Sequence, residues 1–143
     1  MFMSQYNHTI DTKGRVIVPA KFRELLGEEF VITKGMDGCL FGFAYNDWNV
    51  FEAKLTSLPI TNQNARKFAR FFLAGAASVE VDKQGRVLLP ANLREFAALE
   101  KDIVMIGVGS RIEIWSKERW NDEGADDDMN AIGEAMESLG ITI

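Results

Sequence analysis

The chain has 143 residues, 47% apolar and 26% charged, a composition that suits one folded domain or two small halves around a shared core and excludes a disordered polymer. Its longest apolar runs, around Phe71 to Val79 and Ile103 to Val108, fall far short of the roughly 18 residues a membrane span needs, and Met1-Phe2-Met3-Ser4 is not expected to open a signal peptide. The formal charge of −5 is unevenly spread: residues 117–143 hold 8 acidic and 2 basic residues, whereas 1–116 hold 13 acidic and 14 basic, so the body is near neutral and a nucleic-acid partner would have to be met by local basic clusters.

In chain order, Gln5 to Ile10 alternates weakly and predicts a strand. Asp11-Thr12-Lys13-Gly14 has turn chemistry, with an acceptor side chain first and a glycine suited to positive φ at the end. Arg15 to Val18 resumes as a β-branched strand, so the two strands are expected to form a hairpin with Lys13 at its tip and Arg15 at its base. Pro19 opens a helix in which Phe22, Leu25 and Leu26 share one face and Gly27 is the stop. Strands at Phe30 to Lys34 and Cys39 to Phe43 follow, joined through Gly35-Met36-Asp37-Gly38. Asn46 or Asp47 is expected to cap a helix bearing Trp48, Phe51, Leu55 and Leu58 before Pro59. In the next helix Ala65, Phe68, Ala69, Phe72 and Leu73 fit a core-facing stripe. On its other side Arg66, Lys67 and Arg70 form either a solvated basic face or a set of phosphate contacts.

The chain then repeats itself. Asp82-Lys83-Gln84-Gly85-Arg86-Val87-Leu88-Leu89-Pro90-Ala91 returns 71 residues after Asp11, and from Asp11–Glu24 to Asp82–Glu95 the Asp, Gly, Arg, Val, Pro, Ala, Arg and Glu are identical, 8 of 14 positions. Patterning for burial would repeat residue classes, not a charged turn in register, so the chain is a tandem duplication. The second copy predicts a strand before its turn, a strand at Arg86 to Leu89, a helix with Leu93, Phe96 and Ala97 inward, and strands at Ile103 to Ile106 and Ile112 to Trp115. Trp48 matches Trp120 at a spacing of 72. A unit of about 45 residues buries too little surface to stand alone, so the copies are expected to complete one another as a mainly β, α+β pseudo-twofold barrel. The expected divisions are 5–47 for the first unit, 48–75 for a helical connector, 76–119 for the second unit and 120–143 for an acidic tail. A short helix around Met129 to Leu139, with Ile132, Met136 and Leu139 as its apolar line, is predicted in that tail.

Catalysis has little to stand on. His8 is the only histidine and Cys39 the only cysteine, so no Cys-x-x-Cys redox or metal spacing exists, and no nucleotide-binding glycine motif occurs. No catalytic residue, metal site or cofactor is expected. The turns read better as a binding device: Asp11, Gly14, Asp82 and Gly85 shape them, while Arg15 and Arg86, with Lys13 and Lys83 beside them, offer planar guanidinium forks to phosphate or to the O6/N7 edge of guanine. On the residues alone this stands level with a second reading, in which each arginine merely pairs with the aspartate four residues before it.

Asp-x-x-Gly-Arg-Val-(Ile/Leu)-(Val/Leu)-Pro-Ala followed by Arg-Glu resembles the swapped-hairpin DNA-binding unit of the SpoVT-AbrB class. Two such units, with Arg-Phe-Phe-Leu-Ala-Gly-Ala between them and Ile-Glu-Ile-Trp after the second, resemble the MraZ family from about Met1 to Trp120. The resemblance implies a double-split β-barrel and a transcriptional regulator of the division and cell-wall gene cluster. It further implies repression of its own operon through short direct repeats in double-stranded DNA, a ring-like homo-oligomer, and a cytoplasmic location with the nucleoid, not a membrane. By matching position Arg15 and Arg86 become the motif arginines. Lys13 aligns with Gln84, so the two turns are expected to contribute unequally. Two alternatives stay open: an antitoxin-like module whose acidic tail meets a toxin, favoured by the tail but not by two units in one chain, and an oligomeric scaffold that binds no DNA.

Overall fold

The structure, a computed structural model, describes residues 1–143. It is a mixed α+β fold of eight strands and six α-helices: β1 (Gln5–Thr9), β2 (Arg15–Ile17), α1 (Ala20–Leu26), β3 (Glu29–Lys34), β4 (Leu40–Phe43), α2 (Tyr45–Thr56), α3 (Gln63–Gly75), β5 (Ala77–Glu80), β6 (Arg86–Leu88), α4 (Ala91–Phe96), β7 (Asp102–Val108), β8 (Arg111–Ser116), α5 (Lys117–Glu123) and α6 (Met129–Met136). Single 3-10 turns lie at Met36–Gly38 and Glu137–Leu139. The strands form one six-stranded sheet, β1-β7-β8-β4-β3-β5, and a two-stranded ribbon, β2-β6. Every ladder is antiparallel.

The expected hairpin is corrected here. Within the first copy only the bridge Ile10↔Val16 closes the turn. Beyond it β1 leaves to pair with β7 of the second copy, and β2 pairs with β6, Arg15 opposite Leu88 and Ile17 opposite Arg86. The centre of that ribbon is Val16 facing Val87, a residue facing its own repeat counterpart. The same holds where β4 meets β8, at Phe41 facing Glu113. Both pairings are therefore unchanged when the copies are exchanged. A three-residue strand has too few ladder bonds to persist without a partner; here the other copy supplies it.

Burial follows two faces of the sheet. One core cluster joins the ribbon's inner side chains Val16, Val18, Val87 and Leu89 to Phe22 and Leu26 of α1, Leu93 of α4, and Ile32, Leu40, Met105, Ile112 and Ile114 of the sheet. The other packs Trp48 and Leu55 of α2 and Phe72 of α3 against Val31, Phe41, Phe43, Val104 and Trp115. The Thr33 hydroxyl, fully buried, donates to the Phe72 carbonyl at 2.6 Å, which fixes the end of α3 on β3. Buried Glu113 is offset by Arg111 at 2.8 Å and by the Trp115 indole N–H at 3.0 Å, consistent with the need to pair a charge taken from water.

Several local expectations shift. Gly27 does cap α1 with φ 82°, but Leu25 points to solvent while Phe22 and Leu26 are buried. The helix α2 begins at Tyr45 behind Ala44, with no side-chain cap, and Asp47 lies in its first turn, where a carboxylate favours the helix dipole. Of the α3 stripe only Phe72 is buried, and Phe68 is 44% exposed. The tail helix forms, yet no residue of α6 is buried, so its apolar line faces outward. No helix is long and apolar enough to cross a membrane.

Phe72 meets Phe41, Phe51, Phe68 and Phe71 at ring-centroid distances of 4.9–6.1 Å. Phe72→Ala is expected to lower unfolding free energy by about 3–5 kcal/mol, read from denaturant midpoints at constant m; an unchanged midpoint would contradict this packing.

Candidate nucleic-acid interface

Both turns are built alike. Asp11 Oδ1 accepts the backbone N–H of Lys13 and of Arg15, each at 2.9 Å, and its Oδ2 accepts Arg15 Nε at 2.8 Å. Asp82 repeats this with Gln84 and Arg86 at 2.9 Å and Arg86 Nε at 3.0 Å. Gly14 and Gly85 close the turns with φ of 88° and 76° and donate their N–H groups back to the Asp11 and Asp82 carbonyls at 3.0 Å. A carboxylate that receives these bonds is held in its charged form. The Arg15 backbone N–H does most to bring Asp11 down to about 2; partial burial opposes it, and the Arg15 side chain and Lys13 N–H add to the lowering. Asp82 is lowered for the same reasons, the Arg86 backbone N–H first.

The aspartate grips only Nε. The terminal amino groups of Arg15 make no bond within the chain, and Arg86 Nη2 reaches only Gln84 Oε1 at 3.4 Å. Thus the pairing with Asp, which could have consumed the arginines, instead orients them. It leaves the end-on Nη1/Nη2 pair available for a bidentate contact. Along the ribbon the side chains alternate: Val16 and Val87 point into the core, while Arg15, Ile17, Arg86 and Leu88 line the outer face, with Ile17 47% and Leu88 57% exposed. Lys13 and Lys83 are exposed in the turns. The structure thus gathers Arg15 and Arg86 on one ribbon, with Asp11, Gly14, Asp82 and Gly85 beneath their turns. Arg66, Lys67 and Arg70 lie apart from it on exposed positions of α3, Arg66 donating to the Ile60 carbonyl at 2.9 Å.

Two supporting residues have no assigned part in the sequence reading. Arg94 of α4 crosses to the first copy's turn: its Nε donates to the Leu89 carbonyl at 3.0 Å, and its guanidinium carbon lies 2.6 Å from where a Cβ on Gly14 would stand. Arg23 of α1 packs in the same way against Gly85, with its Nε buried and unpartnered. Each turn thus rests on an arginine from the other copy. The signal was present, since Arg23 and Arg94 are among the repeated identities nine residues after each glycine, but only the exchange of strands brings them under the turns.

Nothing catalytic assembles. His8 is half-buried on β1. Cys39 is buried, its Sγ 3.2 Å from the Met36 carbonyl, and burial first, then the charges of Glu113 and Asp37, push its thiol up to about 12, far from the thiolate form a nucleophile needs. No group of three His, Cys, Asp or Glu side chains is placed to hold a metal ion. A concavity of about 590 Å³ mixes Lys101, Lys117 and Arg119 with Glu100, Asp102, Glu118 and Asp122.

The comparisons with known proteins agree with the duplicated turn. The family described as "MraZ protein, putative antitoxin-like" matches at residues 1–71 and again at 72–136. The chain belongs to the MraZ family. Among its MraZ relatives, each named "Transcriptional regulator MraZ", that of Acetivibrio thermocellus is 56% identical over 143 residues, covering 99% of this chain and all of the relative. That of Clostridium acetobutylicum is 56% identical over 142 residues and that of a Thermoanaerobacter species 57% over 143, with the same coverage. These MraZ relatives are named as regulators, not enzymes. A solution structure of PHS018 from Pyrococcus horikoshii aligns over 80% of this chain and 88% of its own at 18% identity, with a TM-score of 0.34, a likeness on which nothing rests.

Two outcomes follow from the turn geometry. Because the folded pKa of Asp11 is depressed, the stabilisation it brings is complete above the ordinary carboxylate value of 3.8 and is lost as pH falls through about 2; a carboxyl NMR titration should place its midpoint near the lower figure, and a midpoint near 4 would refute the bonding described. Gly14→Ala should cost about 1–3 kcal/mol, since the position needs positive φ and Arg94 fills the space of the new methyl; thermal unfolding unchanged from the parent would argue against the close approach.

Proposed function

We propose that this chain is a sequence-specific DNA-binding transcriptional regulator. In this reading the sheet and ribbon close as one double-split barrel, with units at 5–47 and 76–119 joined by the helical 48–75 and followed by the acidic tail. The barrel lays the β2–β6 ribbon toward the major groove, which is wide enough for a two-stranded ribbon. The observation that carries it is the pair of arginines held by Nε, with the Arg15 terminal amino groups unbonded within the chain and Arg86 Nη2 reaching only Gln84. End-on, Nη1 and Nη2 match the O6/N7 edge of guanine. Lys13 and Lys83 take adjacent phosphates and set register. The names of the relatives support the regulatory role.

One or two arginine–guanine contacts give modest selectivity per barrel, and the body has little net positive charge to add. Avidity supplies the rest: in a ring-like homo-oligomer, barrels meet successive short direct repeats upstream of the chain's own division and cell-wall operon, and the later contacts become intramolecular, raising affinity by on the order of 10²–10⁴. The expected direction is repression, in the cytoplasm at the nucleoid. A second reading, the antitoxin-like module, draws on the family's description and on the solvated acidic tail; it keeps the same ribbon on DNA and gives the tail to a protein.

Mobility shifts at fixed salt on the DNA upstream of the gene test this. Arg15→Ala or Arg86→Ala should each weaken specific binding by about 1–3 kcal/mol per intact chain, or roughly 5- to 150-fold. Unchanged binding by both variants would refute the interface. Lys13→Ala should weaken specific and nonspecific DNA alike and reduce the salt slope by about one; a loss confined to the specific site would reassign Lys13 to a base.

A further inference from the structure

Two surfaces of the chain complement each other, and each is open in the single copy. The first is the tail helix. Met129, Ile132 and Met136 lie at i, i+3 and i+7 on α6, and Leu139 continues the line through the following 3-10 turn. Met129 is 67% and Leu139 71% exposed. Asp128 caps the helix through the N–H groups of Asn130 and Ala131. Asp126, Asp127, Asp128 and Glu137 flank this line, Glu134 lies on the opposite face, and no Lys or Arg follows Arg119. A helix of eight residues is marginal in water, so an amphipathic one gains its stability from a surface that covers its apolar line.

The second surface is a groove of about 430 Å³ between α3 and the Gly35–Gly38 turn, floored by Met36, Phe68, Phe71 and Phe96. It continues along α3 past Lys34, Lys67 and Arg70. Lys34 Nζ stands over the Phe71 and Phe96 rings at 5.7 and 5.4 Å. The ion pairs of the chain are Asp11–Arg15, Asp82–Arg86 and Glu113–Arg111, so these three cations have no carboxylate of their own. Exposed Met36 and Phe68, with half-buried Phe71 and Phe96, lie beside these unpaired cations and mark an interaction surface. With Asp37 its one carboxylate, its chemistry is largely complementary to the tail helix, apolar where the helix is apolar and mainly positive where it is negative.

We propose that α6 of one copy docks in the α3 groove of a second copy. Ile132 and Met136 then cover Phe68 and Phe71, while Glu137 and the Asp126–Asp128 run, which flank the apolar line, meet Lys67 and Arg70. Helix and groove are different surfaces, so the contact is heterologous: each copy gives one helix and accepts one, and the chain of contacts closes into a ring when the rotation between copies allows. This names the joint in the self-association of the proposed function, and rests on that reading. It also assigns Lys67 and Arg70 to a protein partner in place of DNA phosphate.

Charge exchange in the full chain tests it. Glu137→Lys with Asp127→Lys reverses the charge beside the apolar line, which the native groove then repels; Lys67→Glu with Arg70→Glu makes an acidic groove that repels the native tail. Each variant alone, with folding verified by circular dichroism, should associate at least about tenfold more weakly than the parent by sedimentation velocity at low salt. An equal mixture of the two should recover assembly, because every tail then finds a complementary groove on the other kind of chain. Normal assembly of either variant alone, or no recovery in the mixture, would overturn the proposal. So would lost DNA affinity in the groove variant with assembly intact, which would return Lys67 and Arg70 to phosphate. A parent chain that stays monomeric at all concentrations would instead sink the self-association reading itself.

Discussion

The pairing of β2 with β6 governs the rest of the molecule. Each strand has three residues, and each gains its ladder from the other copy, with Val16 facing Val87 at the centre. Once that exchange is made, the two Asp-Gly-Arg turns must flank one ribbon, β1 and β5 must seek partners in the six-stranded sheet, and the valines between the arginines must fall into the core. Arg23 and Arg94 complete the arrangement by reaching across to support the opposite turn. Each turn is closed by bonds within its own copy, but the strand that follows it pairs with the other copy and an arginine of the other copy supports it, which is the physical sense of the duplication.

In the proposed reading, recognition depends on how charge is held more than on how much there is. The body is nearly neutral, and an exposed Asp–Arg pair adds little stability. What the pair does is restrict a long side chain. With Nε fixed by the carboxylate and the adjacent backbone fixed by the other oxygen, the guanidinium has little rotamer freedom left to lose when it meets a partner. The aspartates remain ionised well below neutral pH, so the orientation persists wherever DNA itself is stable. The first turn leaves its arginine less encumbered than the second, where Gln84 lies within 3.4 Å of Arg86, so under that reading the two halves are expected to contribute unequally.

Much of this was legible in the sequence, for identifiable reasons. The turn residues, Gly27, the short strands and the tail helix are local, and local chemistry announces them. The duplication was legible because charged identities recur in register. Strand partners were not: a turn that could close a hairpin reads the same whether its strands stay together or part after one bridge, and only the demands of the whole sheet decide. Side chains at the margins were misplaced for a related reason. Leu25 and Phe68 fit their helical stripes, but the helices turn narrower faces to the core than periodicity suggests. The roles of Arg23 and Arg94 were hidden because each acts on the other copy, 62 and 80 residues away in the sequence (Gly85 from Arg23, Gly14 from Arg94).

The central claim is that both turn arginines, carried on one cross-copy ribbon, read guanine in the major groove. Methylation protection with dimethyl sulfate on the bound upstream DNA addresses this most directly, since it reports guanine N7 in the major groove and adenine N3 in the minor groove. The account predicts protected guanine N7 positions at regular intervals, with part of the pattern disappearing when Arg15 or Arg86 is replaced by alanine. Protection confined to adenine N3, or a guanine pattern unaltered by both replacements, would contradict it.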